Sequence, residues 1–118
     1  METKGSIYER SFEFALKVIE LHKKLTKQRE FVLSKQLLRS GTSIGANVNE
    51  ATAAESKKDF LHKMAIASKE ARETLYWLKL LRKSRLIDTD LTIELELCDE
   101  LVRILTSIVK TTRINLAN

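Results

Sequence analysis

The side chains able to do chemistry are few and scattered. His22 and His62 fall in different segments of the chain. Asp59 and His62 stand three residues apart, which would put two potential metal ligands on one helical face. A metal site inside a helix bundle needs several inward carboxylates and a second such pair, and neither is present. Cys98 is the only cysteine, so an internal disulfide and a cysteine metal cage are excluded. On an apolar helical stripe it reads as a small buried residue. Ser40 and Ser43 have no histidine at helical spacing to serve as a base, and no phosphate loop or nucleophile elbow occurs. The expectation is a protein that is not an enzyme, with no metal and no cofactor.

Two other groups of residues invite a function. One is a polar row, Gln36, Ser40, Ser43, Asn47 and Glu50, joined by Arg39. The other is a pair of basic runs: Lys23, Lys24, Lys27 and Arg29, then Lys79, Arg82, Lys83 and Arg85. Both depend on the elements that carry them.

With 118 residues the chain suits one domain, 1–118, around one core. It has no proline and only three glycines, so long uninterrupted helices are permitted. The formal charge of +5 is basic enough for nucleic-acid contact without requiring it. Its longest apolar runs are far shorter than the ~20 residues that span a bilayer. The opening METKGSIYERS lacks the apolar stretch of a signal peptide. A cytoplasmic location with no membrane contact is the expectation.

The first helix should start at Ser6, because Ser6 and Glu9 have capping-box spacing. Phe14, Val18, Leu21 and Leu25 form one stripe, and Tyr8, Phe12, Ala15 and Ile19 form a second beside it. Together they make an apolar face broader than a two-stranded coiled coil needs. The second helix should run from about Glu30 to Ala53, with Leu33, Leu37, Gly41, Ile44, Val48 and Ala51 inward and the polar row along their edge. The third should open at Ser56, with Asp59 as a poorer reciprocal cap, and end near Lys83 or Ser84. Phe60, Met64, Ala67, Ala71, Leu75 with Thr74, Leu78 and Leu81 form its inward face, with Leu61, Ser68 and Trp77 to the sides. The fourth should begin after Ile87, capped by Asp88, Thr89 or Asp90, with Leu91, Leu95, Cys98, Val102, Leu105, Val109 and Thr112 in repeat. Leu97, Leu101, Ile104 and Ile108 make its second stripe, and Ile114 to Asn118 should fray. Short links force neighbouring helices antiparallel, so the fold class is all-α, an up-down-up-down four-helix bundle.

The residues Gln36-Leu37, Arg39-Ser40, Ser43-Ile44, Asn47 and Glu50 form a distinctive pattern. It continues with Lys58-Asp59-Phe60, Ala67, Ser68, Glu73 and Thr74. In this the chain resembles the four-helix-bundle family of bacterial 23S ribosomal RNA intervening-sequence proteins. It departs once, with Ala51 where the family pattern suggests glycine. The resemblance implies a small basic bundle that forms ring-like homopentamers. Some members lie in insertions within large-subunit ribosomal RNA genes. A related branch binds nucleic acid beside the reverse transcriptase of diversity-generating retroelements.

In an antiparallel pair turning near Ala54-Glu55, Arg39 faces Arg72 or Glu73, Ser43 faces Ser68, Asn47 faces Met64, and Glu50 faces Leu61 or His62. A salt bridge from Arg39 to Glu73 or Glu70, and a hydrogen bond between Ser43 and Ser68, are therefore expected. On this reading Gln36, Arg39, Ser40, Ser43, Asn47, Glu50, Ser68 and Glu73 are a structural seam fixing register and subunit packing. Gly41 and Gly45 each cost about 1 kcal/mol in a helix interior, which points to close backbone approach by helix three or a second subunit. The first and third helices end together, so Lys23, Lys24, Lys27, Arg29, Lys79, Arg82, Lys83 and Arg85 gather at one end. The same cations also answer the helix dipoles. No aromatic platform interleaves them, so binding by charge and shape is expected rather than base reading. The leading expectation is an oligomeric nucleic-acid-binding accessory protein with RNA or DNA as partner. The alternative is a structural or protein-interaction module.

Overall fold

The Ser6 side chain accepts the backbone N–H of Glu9 at 3.2 Å, and the Glu9 carboxylate accepts that of Ser6 at 3.0 Å. This reciprocal cap starts α1, Ile7–Lys27, in a computed structural model that describes residues 5–118. Residues 1–4 of the segment read for a signal peptide lie outside the described residues. At the far end of α1 the N–H of Glu30 returns to the carbonyl of Leu25, and that of Arg29 to Thr26, both at 3.0 Å. That is the Schellman arrangement, in which a left-handed residue reverses the chain. Here the left-handed residue is Arg29, at φ 66°.

Helix α2, Val32–Thr52, has no cap from its leading residue Phe31. Glu30 supplies one instead, accepting the N–H groups of Ser34 at 2.6 Å and Leu33 at 3.1 Å. Helix α3, Lys57–Ser84, is capped by Ser56, whose hydroxyl accepts the Asp59 N–H at 3.0 Å. Asp59 does not close the box on the Ser56 N–H and takes the Glu55 N–H at 3.4 Å. Helix α4, Thr92–Ala117, starts later than the capping signals suggested. Asp88 and Thr89 are held by Gln28 from the other link, and Leu91 is drawn into the core. Asp90 still serves the helix, its carboxylate accepting the Thr92 N–H at 3.0 Å and the Thr92 hydroxyl at 2.6 Å. The tail that was expected to fray continues the helix to Ala117.

Each helix packs against its chain neighbours, and α4 closes on α1. This is the antiparallel four-helix bundle, with no strand among the described residues. Its core is built from Phe14, Val18, Leu21 and Leu25 of α1 and Leu37, Ile44 and Val48 of α2. Ala51 of α2, Met64, Ala67, Ala71, Leu78 and Leu81 of α3, Leu91 before α4, and Leu95, Cys98, Leu101, Leu105 and Val109 of α4 complete it. On α3 it is Thr74 that faces inward, while Leu75 is half-buried. On α4 Leu101 takes the inward place and Val102 is half-buried.

Two expectations about α1 need correction. Its second stripe has no cover within the bundle: Tyr8, Phe12 and Ile19, with Leu16, remain exposed, Phe12 at 59%. The buried side chains of α1 lie on the Ser11–Leu25 line. The glycines of α2 answer to α1, not to helix three. A β-carbon on Gly41 would lie 2.8 Å from a Val18 methyl, and one on Gly45 would lie 3.2 Å from the Ser11 carbonyl oxygen. The absent side chains let α1 and α2 approach closely.

Candidate nucleic-acid interface

Helices α1 and α3 both finish at the same end of the bundle, and one side chain locks their links together. The Gln28 amide donates to the Thr89 hydroxyl at 2.6 Å and accepts the Asp88 N–H at 2.7 Å. The ends of α1 and α3 that carry the eight cations are thereby tied together. Lys23, Lys24, Lys27, Arg29, Lys79, Arg82, Lys83 and Arg85 are all exposed. Lys23 lies 3.5 Å from Glu20, an exposed pair of little energetic weight. The other seven pair with no carboxylate among the described residues.

Two nearby carboxylates have other duties. Glu30 caps α2. Asp90 caps α4, where the Thr92 hydroxyl and then the Thr92 backbone N–H hold its pKa below the usual carboxylate value. Arg29 and Arg85 both adopt left-handed backbone, at φ 66° and 57°. Glycine is the usual occupant of such corners, and an L side chain there costs about 1–2 kcal/mol. Arginine at both corners adds charge where the backbone would prefer no side chain.

The surface is not purely cationic. Phe31, at 57% exposure, lies two residues beyond Arg29, and Val32 at the start of α2 and Leu86 in the second link are also exposed. Sequence reasoning missed this aromatic. Its signal was present: Phe31 precedes the Leu33–Leu37 line of α2 and falls outside that line's period.

The polar row of α2 divides. Arg39 reaches both Glu70, at 3.3 Å, and Glu73. Gln36 supports the Arg39 guanidinium at 3.4 Å, and the Trp77 indole N–H donates to Glu73 at 3.1 Å. Ser40 is fully buried and shares a 2.9 Å hydrogen bond with the Thr74 hydroxyl. The expected Ser43–Ser68 bond does not form. Asn47 donates to the Ser43 hydroxyl at 3.2 Å, and Arg72 donates to Ser68 at 3.1 Å. Each serine finds its partner four residues along its own helix, nearer than the facing helix offers one. Glu50 is exposed and makes no ion pair among the described residues.

Nothing in these arrangements resembles a reacting pair. Among the described residues no three of His, Cys, Asp and Glu gather as metal ligands. The Cys98 thiol is wholly buried and donates to the Ala71 carbonyl at 3.4 Å. Burial, and secondarily the charge of Asp99, push its pKa to about 12. It therefore stays protonated at neutral pH and is not a nucleophile. Among the described residues no helix is long and apolar enough to cross a membrane.

The family model for the 23S rRNA-intervening sequence protein matches residues 3–107. The chain belongs to this family. A crystal structure from the S23 ribosomal protein family of Bacteroides thetaiotaomicron, a protein of unknown function, is 46% identical with a TM-score of 0.84. The alignment covers 89% of this chain and 99% of that one. No curated protein matches the sequence. The family match spans both tied links, so the Gln28 clasp and the eight cations lie within it. Four of the residues that carried the resemblance, Arg39, Ser40, Glu73 and Thr74, bond between α2 and α3.

Proposed function

We propose that this family member is a non-enzymatic accessory protein that binds RNA or DNA by charge and shape. It would use the end bearing Lys23, Lys24, Lys27, Arg29, Lys79, Arg82, Lys83 and Arg85. The observation that carries the reading is the set of seven exposed cations without carboxylate partners, on the last turns of α1 and α3 and the links that Gln28 clasps. A polyanion meeting that surface releases condensed counterions, and it need not order the links first. The protein would act in the cytoplasm, where such partners reside.

A homo-oligomer, pentameric as the family resemblance implies, belongs to the same proposal. Its support is the uncovered α1 stripe, where Tyr8, Phe12, Leu16 and Ile19 border a groove of about 410 Å³ that Thr42 and Ala46 of α2 also line. A ring would repeat the basic end once per subunit. Light scattering at micromolar concentration tests this, and a monomer would overturn it.

A second reading draws on Phe31, Val32 and Leu86, whose exposure suits a protein partner at this end, such as a reverse transcriptase. Fluorescence anisotropy with labelled RNA and DNA over a salt series separates the two. Nucleic-acid binding predicts a linear fall of log K with log salt, with a shallower slope when Lys79, Arg82, Lys83 and Arg85 become glutamine. Absence of binding at low salt would refute it and leave the protein-docking reading.

A further inference from the structure

Of the two seam residues on α3, Glu73 bonds across to α2 and Ser68 does not. It is 3% exposed, yet its hydroxyl accepts from the Arg72 guanidinium at 3.1 Å and faces a groove between α3 and α4. That groove holds about 300 Å³ and is lined by Ser68 and Arg72 on one side and Thr106, Val109, Lys110 and Arg113 on the other. Thr106, Lys110 and Arg113 share a helical face through spacings of four and three.

The charge around this groove is one-sided. Glu70 is engaged by Arg39, Asp99 by Arg103 and Glu100 by Arg10. No acidic residue follows Glu100 in the chain. Arg72, Lys110 and Arg113 therefore border one cleft with no carboxylate partner among the described residues. Three like charges around a common space repel one another unless an anion enters. The polar lining consists of groups that can all donate: a guanidinium braced by Ser68, a second guanidinium, an ammonium and a threonine hydroxyl. Carboxylate and phosphate both accept such bonds. Phosphate offers more acceptor oxygens and suits forked guanidinium donors together with a point charge.

We propose that this α3–α4 groove binds a phosphate group, free or within a phosphodiester. Arg72, Lys110 and Arg113 supply the charge, and Thr106 with Ser68 completes the donor set. The site is separate from the basic end: Lys110 lies eighteen residues beyond Thr92, the first residue of α4, a rise of about 27 Å along the helix. It does not rest on the nucleic-acid reading above.

The test is calorimetric titration of the full chain with inorganic phosphate at constant ionic strength, and separately with a short single-stranded oligonucleotide. Three proteins are compared: one with the groove unaltered, one with Arg72→Gln, and one with Lys110→Gln and Arg113→Gln together. Circular dichroism confirms that each folds. Every protein also carries Lys79→Gln, Arg82→Gln, Lys83→Gln and Arg85→Gln, which removes the four α3-end cations of the basic surface. The expected result is binding that persists in this background and weakens at least about tenfold in the groove variants. Inorganic phosphate binding would identify a free phosphoryl ligand, and oligonucleotide binding alone would identify a backbone contact. Unchanged affinity in both groove variants, or no binding of either ligand beyond that of chloride, overturns the proposal.

Discussion

A single methyl group at residue 41 tests the close approach of α1 and α2. In an open helix, Gly→Ala gains about 1 kcal/mol from helix propensity. At Gly41 the new carbon would lie 2.8 Å and 2.9 Å from the two Val18 methyls. Val18 is fully buried, and a valine in a helix has one strongly preferred rotamer. Turning it would exchange one methyl for the other and keep the clash. Overpacking of this kind costs about 1–3 kcal/mol. The net expectation for Gly41→Ala is a loss of roughly 0–2 kcal/mol, against a gain of about 1 kcal/mol at an unobstructed site. The sharper test is a double-mutant cycle. Val18→Ala alone costs about 1.6 kcal/mol for two methyls, plus a cavity term. In that background Gly41→Ala meets open space and should become stabilising, giving a coupling of about 1–3 kcal/mol. Urea unfolding followed by helical circular dichroism, at one fixed protein concentration, measures all four corners. If Gly41→Ala stabilises the natural chain, or costs the same with and without the Val18 methyls, steric approach is not why glycine is there.

Two further outcomes follow from the basic end and the core. Arg29→Gly should raise stability by about 0.5–1 kcal/mol, since relief of left-handed strain outweighs the added freedom of the unfolded chain. The same change should weaken nucleic-acid binding, so a urea midpoint that falls would contradict the strain argument. For Cys98 the folded pKa of about 12 exceeds the ordinary 9.0, so the thiol contributes stability that is whole below pH 9 and lost as pH rises towards 12. The loss is at most about 1.4 kcal/mol per pH unit. Comparing urea midpoints of the natural chain and Cys98→Ala across that range isolates it, and parallel pH profiles would refute it.

The local parts of the fold were legible because their causes are local. The Ser6–Glu9 and Ser56 caps are read from spacing alone, and both are present. The Arg39 ion pair was legible for a different reason. An arginine reaches far enough that Glu70 and Glu73, one turn apart, both lie within range. Short side chains gave no such tolerance, so Ser43 and Ser68 were paired wrongly. Periodicity identified two apolar stripes on α1 but not which one the bundle covers, because that depends on how α2 and α4 cross it. The start of α4 was misplaced because Gln28, far away in sequence, takes Asp88 and Thr89 for itself. At the candidate interface, the shared end of α1 and α3 followed from topology. Phe31 and the Arg72–Lys110–Arg113 groove did not, since each depends on surface exposure or on the pairing of two separate helices.

Cys98 has a consequence beyond its packing. It is the chain's one thiol, wholly buried and bonded to the backbone of the opposing helix. A thiol reagent reaches it only when α4 parts from α3. When reclosing is fast, the rate of covalent labelling equals the intrinsic reaction rate multiplied by the fraction of time the pair is open. One atom thus reports the breathing of the longest helix pair in the molecule, without a probe being introduced. Any ligand that clamps α3 to α4 slows the label, while one seated only on the links leaves its rate unchanged.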